Sequence, residues 1–236
     1  MNLFYFAQTT DNQWILPEEE AQHCIKVLRK KAGDEIVGID GKGNYYTAEI
    51  RQLGKNIVFL EIINKVENWG ESADEIYLFV SPLRMKDRFE WLIEKSVELG
   101  VTHIIPIICK RTITENIKTE RLNNILISAL KQCKRSRLPQ LFEPIKFSKA
   151  LPYAQSKTTH QYLAFCESTI SVKHFAQEIA TSSKLALFIG PEGDFSEEEV
   201  QLATNANISL ISLGETRLRT ETAGLFALSY VKAMKL

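Results

Sequence analysis

The chain has 236 residues, 44% hydrophobic and 25% charged, which is enough for one large or two unequal globular domains. Lys plus Arg and Asp plus Glu both number 29, and this balance excludes a protein that is basic over its whole surface. The sequence lacks an apolar run of about 18 residues, the length of a membrane span, and its first residues lack the basic and apolar regions of a signal peptide. We therefore expect a cytoplasmic protein outside the membrane.

The four cysteines (Cys24, Cys109, Cys133 and Cys166) are scattered, and no pair has the CxxC spacing of a zinc site. Only four histidines could help to bind a metal. We therefore expect reduced thiols and no metal.

The basic residues are grouped in three places along the chain. The groups are Lys26, Arg29, Lys30 and Lys31; Arg84, Lys86 and Arg88; and Lys131, Lys134, Arg135 and Arg137. Any one group is typical of a solvated face. Three groups in a chain of zero net charge predict an uneven surface potential.

The first 65 residues are predicted to be mainly β-structure. Short apolar segments at 35–40, 45–50 and 56–63 are separated by turn glycines, and one helix is expected near Glu18–Arg29, after Pro17. This pattern predicts a small β-barrel. The polar stretch 67–74 is the predicted linker, so we expect domains over 1–70 and 71–236.

From Glu75 onward, strands and helices alternate. Predicted strands are 76–80, 103–108, 162–166, 185–189 and 208–213, and predicted helices include 86–99, 197–206 and 221–235. Gly100 is placed to end the first of these helices, and Ser196 with Glu199 forms a capping box that opens the second. Near-continuous apolar strands indicate a mainly parallel sheet covered on both faces, which binds ligands at the carboxyl ends of its strands.

Two loops follow buried strands and combine residues suited to binding. The 189–195 loop (IGPEGDF) contains two glycines and a proline, so its backbone can approach a ligand closely. The 213–223 loop (LGETRLRTETA) brings two arginines to the start of the last helix. Neither loop has the GKS or GKT of a phosphate-binding loop or the GxGxxG of a dinucleotide fold.

The segments GPEGDFSEEE and LGETRLRTETA resemble the two C-terminal motifs of the RsmE family of 16S rRNA uridine-N3 methyltransferases. Three further segments match in the same order: His23-x-x-x-Val27-Leu28-Arg29, residues 94–101 (EKSVELGV), and Gln132-x-x-Arg135 with Pro139. The matches extend from residue 23 to 223. The chain departs from the family at Asp194, where Gly is common, at Lys131, where Glu is common, and at Thr216-Arg217, where Arg precedes an aliphatic residue.

The resemblance implies an α/β fold with a PUA-like N-terminal barrel and a C-terminal SPOUT domain containing a trefoil knot. It also implies S-adenosyl-L-methionine (SAM) as cofactor, 16S rRNA within the small ribosomal subunit as substrate, and a homodimer with the active site at its interface. Leu213 and Leu218 would pack on the adenine. The implied cofactor-binding residues are Phe188, Ile189, Gly190, Pro191, Glu192, Gly193, Leu213, Gly214, Leu218, Arg219, Thr220 and Thr222.

Uracil N3 must lose a proton before it attacks a methyl group, and the negative charge on the uracil oxygens must then be stabilised. Arg135 or Arg219 is expected to supply this stabilisation, because a guanidinium offers a rigid fork of donors. Glu221 is expected to be the base or a group that orients an arginine. The alternative is that Glu221 is only a favourable partner of the helix dipole. Glu192 could likewise only fix the geometry of its loop, and the role of Arg217 stays open.

RNA is expected to contact two of the basic groups through its phosphates. The predicted RNA-binding residues are His23, Lys26, Arg29, Lys30, Arg84, Lys86 and Arg88. His23 has a plain structural alternative as a core or capping residue. Two other functions are kept open: another SPOUT reaction, such as ribose 2′-O-methylation, and a non-catalytic RNA-binding protein.

Overall fold

The computed structural model describes residues 2–8, 13–166, 173–175 and 183–235. The chain divides into two compact units: Met1–Ser72 with Ile127–Leu138, and Ala73–Leu126 with Pro139–Leu236. The domain boundary expected at residue 70 stays a prediction. The placement of residues 127–138 in the first unit is a feature that the sequence did not indicate.

The first unit contains a six-stranded sheet in the order β1-β4-β5-β6-β3-β2. Strands β1 and β4 pair in parallel, and the other neighbours are antiparallel. The strands are β1 (Leu3–Tyr5), β2 (Ala7–Gln8), β3 (Trp14–Leu16), β4 (Glu35–Ile39), β5 (Asn44–Leu53) and β6 (Val58–Glu67). The β-rich character predicted for this region is confirmed, whereas the closure of the sheet into a barrel stays a prediction.

The core of the first unit follows from alternation along β5. Tyr46, Ala48 and Ile50 are buried, and the residues between them are half-buried. Successive strand residues point to opposite faces, so one face of β5 packs on the core. The helix α1 (Glu18–Gln22) closes over this core and continues as a π-helical turn, His23–Val27. The predicted single helix is therefore present, but its second half has wider hydrogen bonding than an α-helix.

The second unit contains an eight-stranded sheet in which every pairing between described strands is parallel. The order is β10-β8-β7-β13-β11-β14-β12, with β9 paired to β8. The strands are β7 (Glu75–Val80), β8 (His103–Ile108), β9 (Gln140–Leu141), β10 (Ile145–Lys146), β11 (His160–Ala164), β12 (Lys173–His174), β13 (Lys184–Ile189) and β14 (Ser209–Ser212). The predicted mainly parallel sheet is confirmed.

The helices of the second unit are α2 (Lys86–Glu98), α4 (Phe147–Lys157), α5 (Glu197–Asn205) and α6 (Thr220–Ala233). Between α2 and α4 in the chain, the helix α3 (Thr119–Gln132) begins in the second unit and ends in the first. Along β7 and β13 all residues after the first are buried, and Phe79 stacks on Phe188 with ring centroids 4.4 Å apart. The residues predicted at the end of α2 and at the start of α5 are confirmed: Gly100 has φ +94, and Ser196 with Glu199 forms a capping box. Among the described residues, no helix combines the length and apolar character needed to cross a bilayer.

Candidate functional site

A cavity of about 390 Å³ lies at the carboxyl ends of the central strands of the second unit. Its volume falls within the range typical of small-molecule sites. Its walls come from the ends of β11, β13 and β14, the segment after β7, and the helices α2 and α6. The lining residues are Leu83, Arg88, Ala164, Phe165, Cys166, Ile189, Gly190, Pro191, Glu192, Asp194, Ser212, Leu213, Gly214, Thr216, Arg217, Leu218, Arg219, Thr220, Glu221 and Ala223.

The two loops singled out in the sequence meet in this cavity. Thr220 is buried at the start of α6, and its Oγ1 donates to the carbonyl oxygen of Gly190 at 3.0 Å. A Cβ on Gly190 would lie 3.1 Å from the ring of Phe195, which is fully buried. Close packing behind the loop therefore favours glycine at this position. The bond between Thr220 and Gly190 fixes the spacing of two cavity walls.

The 189–195 loop is also held from its outer side. The amide of Arg84 donates to Oε1 of Glu192 at 3.0 Å. Arg111 Nη1 donates to the carbonyl oxygens of Gly193 at 2.7 Å and Phe195 at 3.3 Å. This bond of the Glu192 carboxylate is consistent with a role in loop geometry, which stays one of the two interpretations of this residue.

Just beyond this loop, α5 is tied to the turn that follows β8. Glu199 is buried, and its Oε1 accepts the amide of Lys110 at 2.8 Å. Burial raises the pKa of the neighbouring Cys109 thiol, and the charge of Glu199 acts in the same direction. Cys109 is therefore a neutral packing residue in this turn.

Asp194 has a left-handed backbone, with φ +63. Its Oδ1 accepts the amide of Phe195 at 2.8 Å, and its Oδ2 accepts the amide of Cys166 at 3.2 Å. Asp tolerates this conformation better than most residues with a Cβ, and Gly adopts it freely. The departure from the glycine common in the RsmE motif thus keeps the backbone shape and adds a tie to Cys166 on another cavity wall.

Glu221 and Arg88 form an ion pair in the cavity. Arg88 Nη1 lies 3.7 Å from Oε1 of Glu221, whose side chain is 10% exposed, against 39% for Arg88. Arg219 is exposed as the N-cap residue of α6 and also lines the cavity. A largely buried carboxylate therefore lies beside arginines that could stabilise negative charge.

Most of the predicted cofactor residues line this cavity, but three do not. Phe188 faces the core and stacks on Phe79, Gly193 packs against the side chain of Arg111, and Thr222 is exposed on α6. A strand residue next to a lining residue points to the opposite face, which accounts for Phe188.

Several lining residues were not predicted. Leu83 follows β7, and Phe165 and Cys166 follow β11. The rule that ligands bind at the carboxyl ends of parallel strands applies to these segments as well. The order of strands in the sheet was the missing information, because it decides which strand ends meet.

Arg135 lies in the first unit and outside the residues that line the cavity. It follows the end of α3 in the non-helical segment that the sequence predicted. Its Nη2 donates to Oε2 of Glu71 at 2.9 Å, with the two side chains 10% and 4% exposed. Glu71 Oε1 also accepts the amides of Ser136 at 2.7 Å and Arg137 at 2.8 Å. The catalytic role of Arg135 stays a prediction, and the structure adds a structural role for the residue.

The residues predicted to bind RNA lie mostly at the surface. His23, Lys26, Arg29, Arg84 and Lys86 are exposed. His23 is therefore not a core residue, but it is the C-cap residue of α1 and its ring lies 6.1 Å from that of Phe4, so the capping alternative stays open. Lys30 is half-buried, and its Nζ donates to the carbonyl oxygen of Glu35 at 3.2 Å. Arg88 differs from the rest of its group because it lines the cavity.

The residues Cys24, Cys109, Cys133 and Cys166 are not joined by disulfides. Within residues 2–8, 13–166, 173–175 and 183–235, His, Cys, Asp and Glu side chains do not form a group of three or more that could hold a metal ion.

Comparison with known proteins places this architecture in a family. Residues 70–232 match the model of the RNA methyltransferase domain, and residues 16–63 match that of the RNA methyltransferase PUA domain. The ribosomal RNA small subunit methyltransferase E of Bacillus subtilis (strain 168) is 28% identical, covering 96% of this chain and 94% of the relative.

Two solved structures are similar over nearly the whole chain. The crystal structure described as a probable rRNA-methyltransferase from Porphyromonas gingivalis has a TM-score of 0.90 and 32% identity, covering 100% of this chain and 98% of that one. The ribosomal RNA small subunit methyltransferase E of Neisseria gonorrhoeae, solved bound to S-adenosyl methionine, has a TM-score of 0.83 and 30% identity, covering 99% and 98%. The predicted family is thereby confirmed, and the chain belongs to the ribosomal RNA small subunit methyltransferase E family of RNA methyltransferases.

Proposed function

We propose that this protein transfers a methyl group from SAM to N3 of one uridine in 16S rRNA of the small ribosomal subunit. The observation that carries the proposal is the cavity in which the two RsmE-like loops meet, joined by the bond from Thr220 Oγ1 to the carbonyl oxygen of Gly190. Family membership and the SAM-bound relative support it.

The residues present fit the cofactor. A cavity of about 390 Å³ suits a ligand of this size. Its apolar walls, which include Ile189, Leu213 and Leu218, suit an adenine ring, and the backbone of both loops offers amides and carbonyls. The first amides of α6 lack intrahelical acceptors, so they suit a negatively charged or hydrogen-bond-accepting group. Bound SAM would supply an electrophilic methyl group on a positively charged sulfur.

The protein's own residues have two tasks: to move the N3 proton and to stabilise the uracil anion. Arg219 and Arg88 lie at the cavity, and we propose that they stabilise the uracil anion. Each guanidinium offers several hydrogen-bond donors to the planar uracil oxygens. Glu221 is placed to orient Arg88, since the two form an ion pair. A role for Glu221 as the base is the competing assignment.

Arg135 remains a separate catalytic proposal. The alternative is a structural role for Arg135. It is supported by Glu71, which pairs with the Arg135 guanidinium and also accepts two backbone amides of the same turn. That network favours a residue that holds the turn after α3 in place.

The wider organisation is proposed on family grounds: a PUA-like barrel over 1–70, a knotted SPOUT domain over 71–236, a cytoplasmic location and a homodimer. Two large apolar side chains on the second unit support the dimer. Trp91 on α2 and Phe226 on α6, two helices that pack against each other, are each 46% exposed, and a subunit interface would cover them. Light scattering of the purified protein tests it, and a monomer at working concentration would contradict it.

A reconstituted reaction tests the proposed function. Purified protein, labelled SAM and small ribosomal subunits from cells that lack the gene are expected to yield labelled 16S rRNA. Calorimetry of SAM binding separates the alternatives, because a non-catalytic RNA-binding protein would bind no SAM. Labelled ribose rather than labelled base would identify a 2′-O-methyltransferase and overturn the assignment to uracil N3.

A further inference from the structure

One end of the β5–β6 hairpin in the first unit presents an aromatic pair outside the hydrophobic core. Tyr45 pairs with Val66 of β6, and its ring lies 4.5 Å from the ring of Trp69, at 32°. Both rings are half-buried, and Val66 is 40% exposed. The core of this unit contains neighbours such as Tyr46 but neither member of this pair. The pair therefore forms a surface platform.

Basic side chains surround this platform. Arg137 is exposed, and its Nη2 donates to Oδ1 of Asn68 at 3.0 Å. The same nitrogen would lie 2.9 Å from a Cβ on Gly43, so the guanidinium lies over the β4–β5 turn. Lys42, exposed in that turn, forms a β-bridge with Arg137.

Lys134 is the third basic residue at this end of the hairpin, and its backbone lies close to Gly70. The carbonyl oxygen of Lys134 would lie 2.5 Å from a Cβ on Gly70, next to Trp69, and the Lys134 side chain is exposed. We call the set Lys42, Tyr45, Trp69, Lys134 and Arg137 the Trp69 face.

The acidic residues nearby are engaged with other partners. Asp40 is 8% exposed and accepts the amide of Lys42, the side-chain amide of Asn44 and the hydroxyl of Tyr46. The Glu71 side chain is 4% exposed and pairs with Arg135. Glu67 is paired with Lys65 at 2.7 Å. The exposed charge of the Trp69 face is therefore positive.

One set of hydrogen bonds fixes the aromatic pair relative to the basic residues. Ser136 donates from Oγ to the carbonyl oxygen of Trp69, and its own carbonyl oxygen accepts the amide of Gly43 at 3.0 Å. The amide of Trp69 in turn donates to the carbonyl oxygen of Gly43 at 3.2 Å. These bonds join the β4–β5 turn, Trp69 and the turn after α3. The loss of conformational entropy when this surface binds a ligand is therefore small.

We propose that the Trp69 face binds an unpaired stretch of RNA, with one base stacked on the aromatic pair and the flanking phosphates on Lys42, Lys134 and Arg137. Aromatic rings flanked by cations are the combination that binds single-stranded nucleic acid, because every base has a face to stack and every nucleotide a phosphate. This surface is distinct from the group at His23–Lys30. The proposal rests on the proposed function, in that it names where the RNA substrate is held.

Binding of a labelled oligouridylate of about 12 nucleotides, measured by fluorescence anisotropy over a range of salt, tests the proposal. Lys42→Ala and Arg137→Ala are expected to weaken binding and to lower the slope of log affinity against log salt by about 0.7 each. Trp69→Leu is expected to weaken binding about 5-fold or more with the slope unchanged, while Trp69→Phe keeps most of the affinity. Lys55→Ala is the matched control, because Lys55 is exposed in the turn at the other end of the same hairpin.

Wild-type binding and slope in both Lys42→Ala and Arg137→Ala would overturn the proposal, as would equal losses in Lys55→Ala. Equal affinity for polyglutamate, with the same dependence on Arg137 and Trp69, would identify a site for acidic proteins and overturn it as well. Unfolding temperatures establish that each variant is folded, and the two charge variants decide the question if Trp69→Leu is not. SAM binding by the same proteins is measured separately, so failure of the proposed function is distinguishable from failure of the Trp69 face.

Discussion

The guanidinium of Arg135 donates to the carboxylate of Glu71 at 2.9 Å across 64 residues of sequence, and both side chains are at least nine-tenths buried. Glu71 also accepts the amides of Ser136 and Arg137, so a single carboxylate organises the turn after α3. Substitution of either Arg135 or Glu71 breaks the pair. Comparing the two variants separates a structural from a catalytic role for Arg135.

Arg135→Ala is expected to lower the free energy of unfolding by about 3 kcal/mol, since it leaves a buried carboxylate without its counter-charge. Glu71→Gln removes the same ion pair and leaves the arginine in place. If the role is structural, both variants lose stability and retain kcat. A kcat about 10²-fold lower in Arg135→Ala, with normal kcat in Glu71→Gln, would instead establish the catalytic role. Urea denaturation and kcat on small ribosomal subunits are the measurements.

Gly190→Ala is expected to weaken SAM binding by about 10-fold, because its Cβ would lie 3.1 Å from the Phe195 ring and would displace the loop that lines the cavity. Gly190→Val, with a larger side chain, should abolish binding. Gly54→Ala is the matched control: its Cβ would lie 2.8 Å from Ile57, in the first unit, which contributes none of the lining residues. Calorimetry with equal SAM affinity in the two alanine variants would remove the 189–195 loop from the cofactor site.

Asp194→Gly is expected to lose the ties to Phe195 and Cys166 while keeping the left-handed backbone without strain. Asp194→Ala loses the same bonds and should be less stable than Asp194→Gly by about 1 kcal/mol, because a Cβ is unfavourable at φ +63. Asp194→Asn, which keeps one acceptor and tolerates this φ, should lie closest to the wild type. Equal stability of the Ala and Gly variants in urea denaturation would contradict this account of the loop.

Glu221→Gln and Arg88→Ala are each expected to lower kcat by about 10-fold or more, and the double variant should show little further loss, because one group acts through the other. If Glu221 is the base, its loss should far exceed that of Arg88→Ala, and the acidic limb of the kcat profile against pH should disappear. The double-mutant cycle and the pH profile together decide between orienting group and base.

The double change Arg29→Ala, Lys30→Ala is expected to weaken RNA binding, with SAM binding unchanged. The slope of log affinity against log salt should fall by about 0.7–0.9 for each phosphate that the variant no longer neutralises. The control removes two exposed charges outside the basic groups, Lys55→Ala with Lys149→Ala. A salt dependence that matches the control would show that the Arg29 group is ordinary solvated surface.

Local patterns predicted the elements of the fold well. The capping box at Ser196, the glycine after α2 and the apolar runs of β7 and β13 depend on residues close in sequence, and each is present. The π-helical turn at His23–Val27 was not predicted, because its side-chain pattern over five residues does not differ from that of an α-helix.

Contacts between residues that are distant along the chain could not be predicted from the sequence. The two loops after β13 and β14 were predicted to carry the site because each follows a buried strand. Cys166 was not, since its place in the wall depends on β11 lying between those strands. The partner of Arg135 was also unpredictable, because nothing near Glu71 marks it as the residue that meets the turn after α3.

Nucleoside analysis of 16S rRNA by mass spectrometry tests most directly whether this protein methylates N3 of a uridine. Cells that contain the gene are expected to show N3-methyluridine in 16S rRNA, deletion cells to lack it, and purified protein with SAM to restore it to their small subunits. Equal amounts of N3-methyluridine with and without the gene, or loss of a 2′-O-methylated nucleoside instead, would contradict the proposed function.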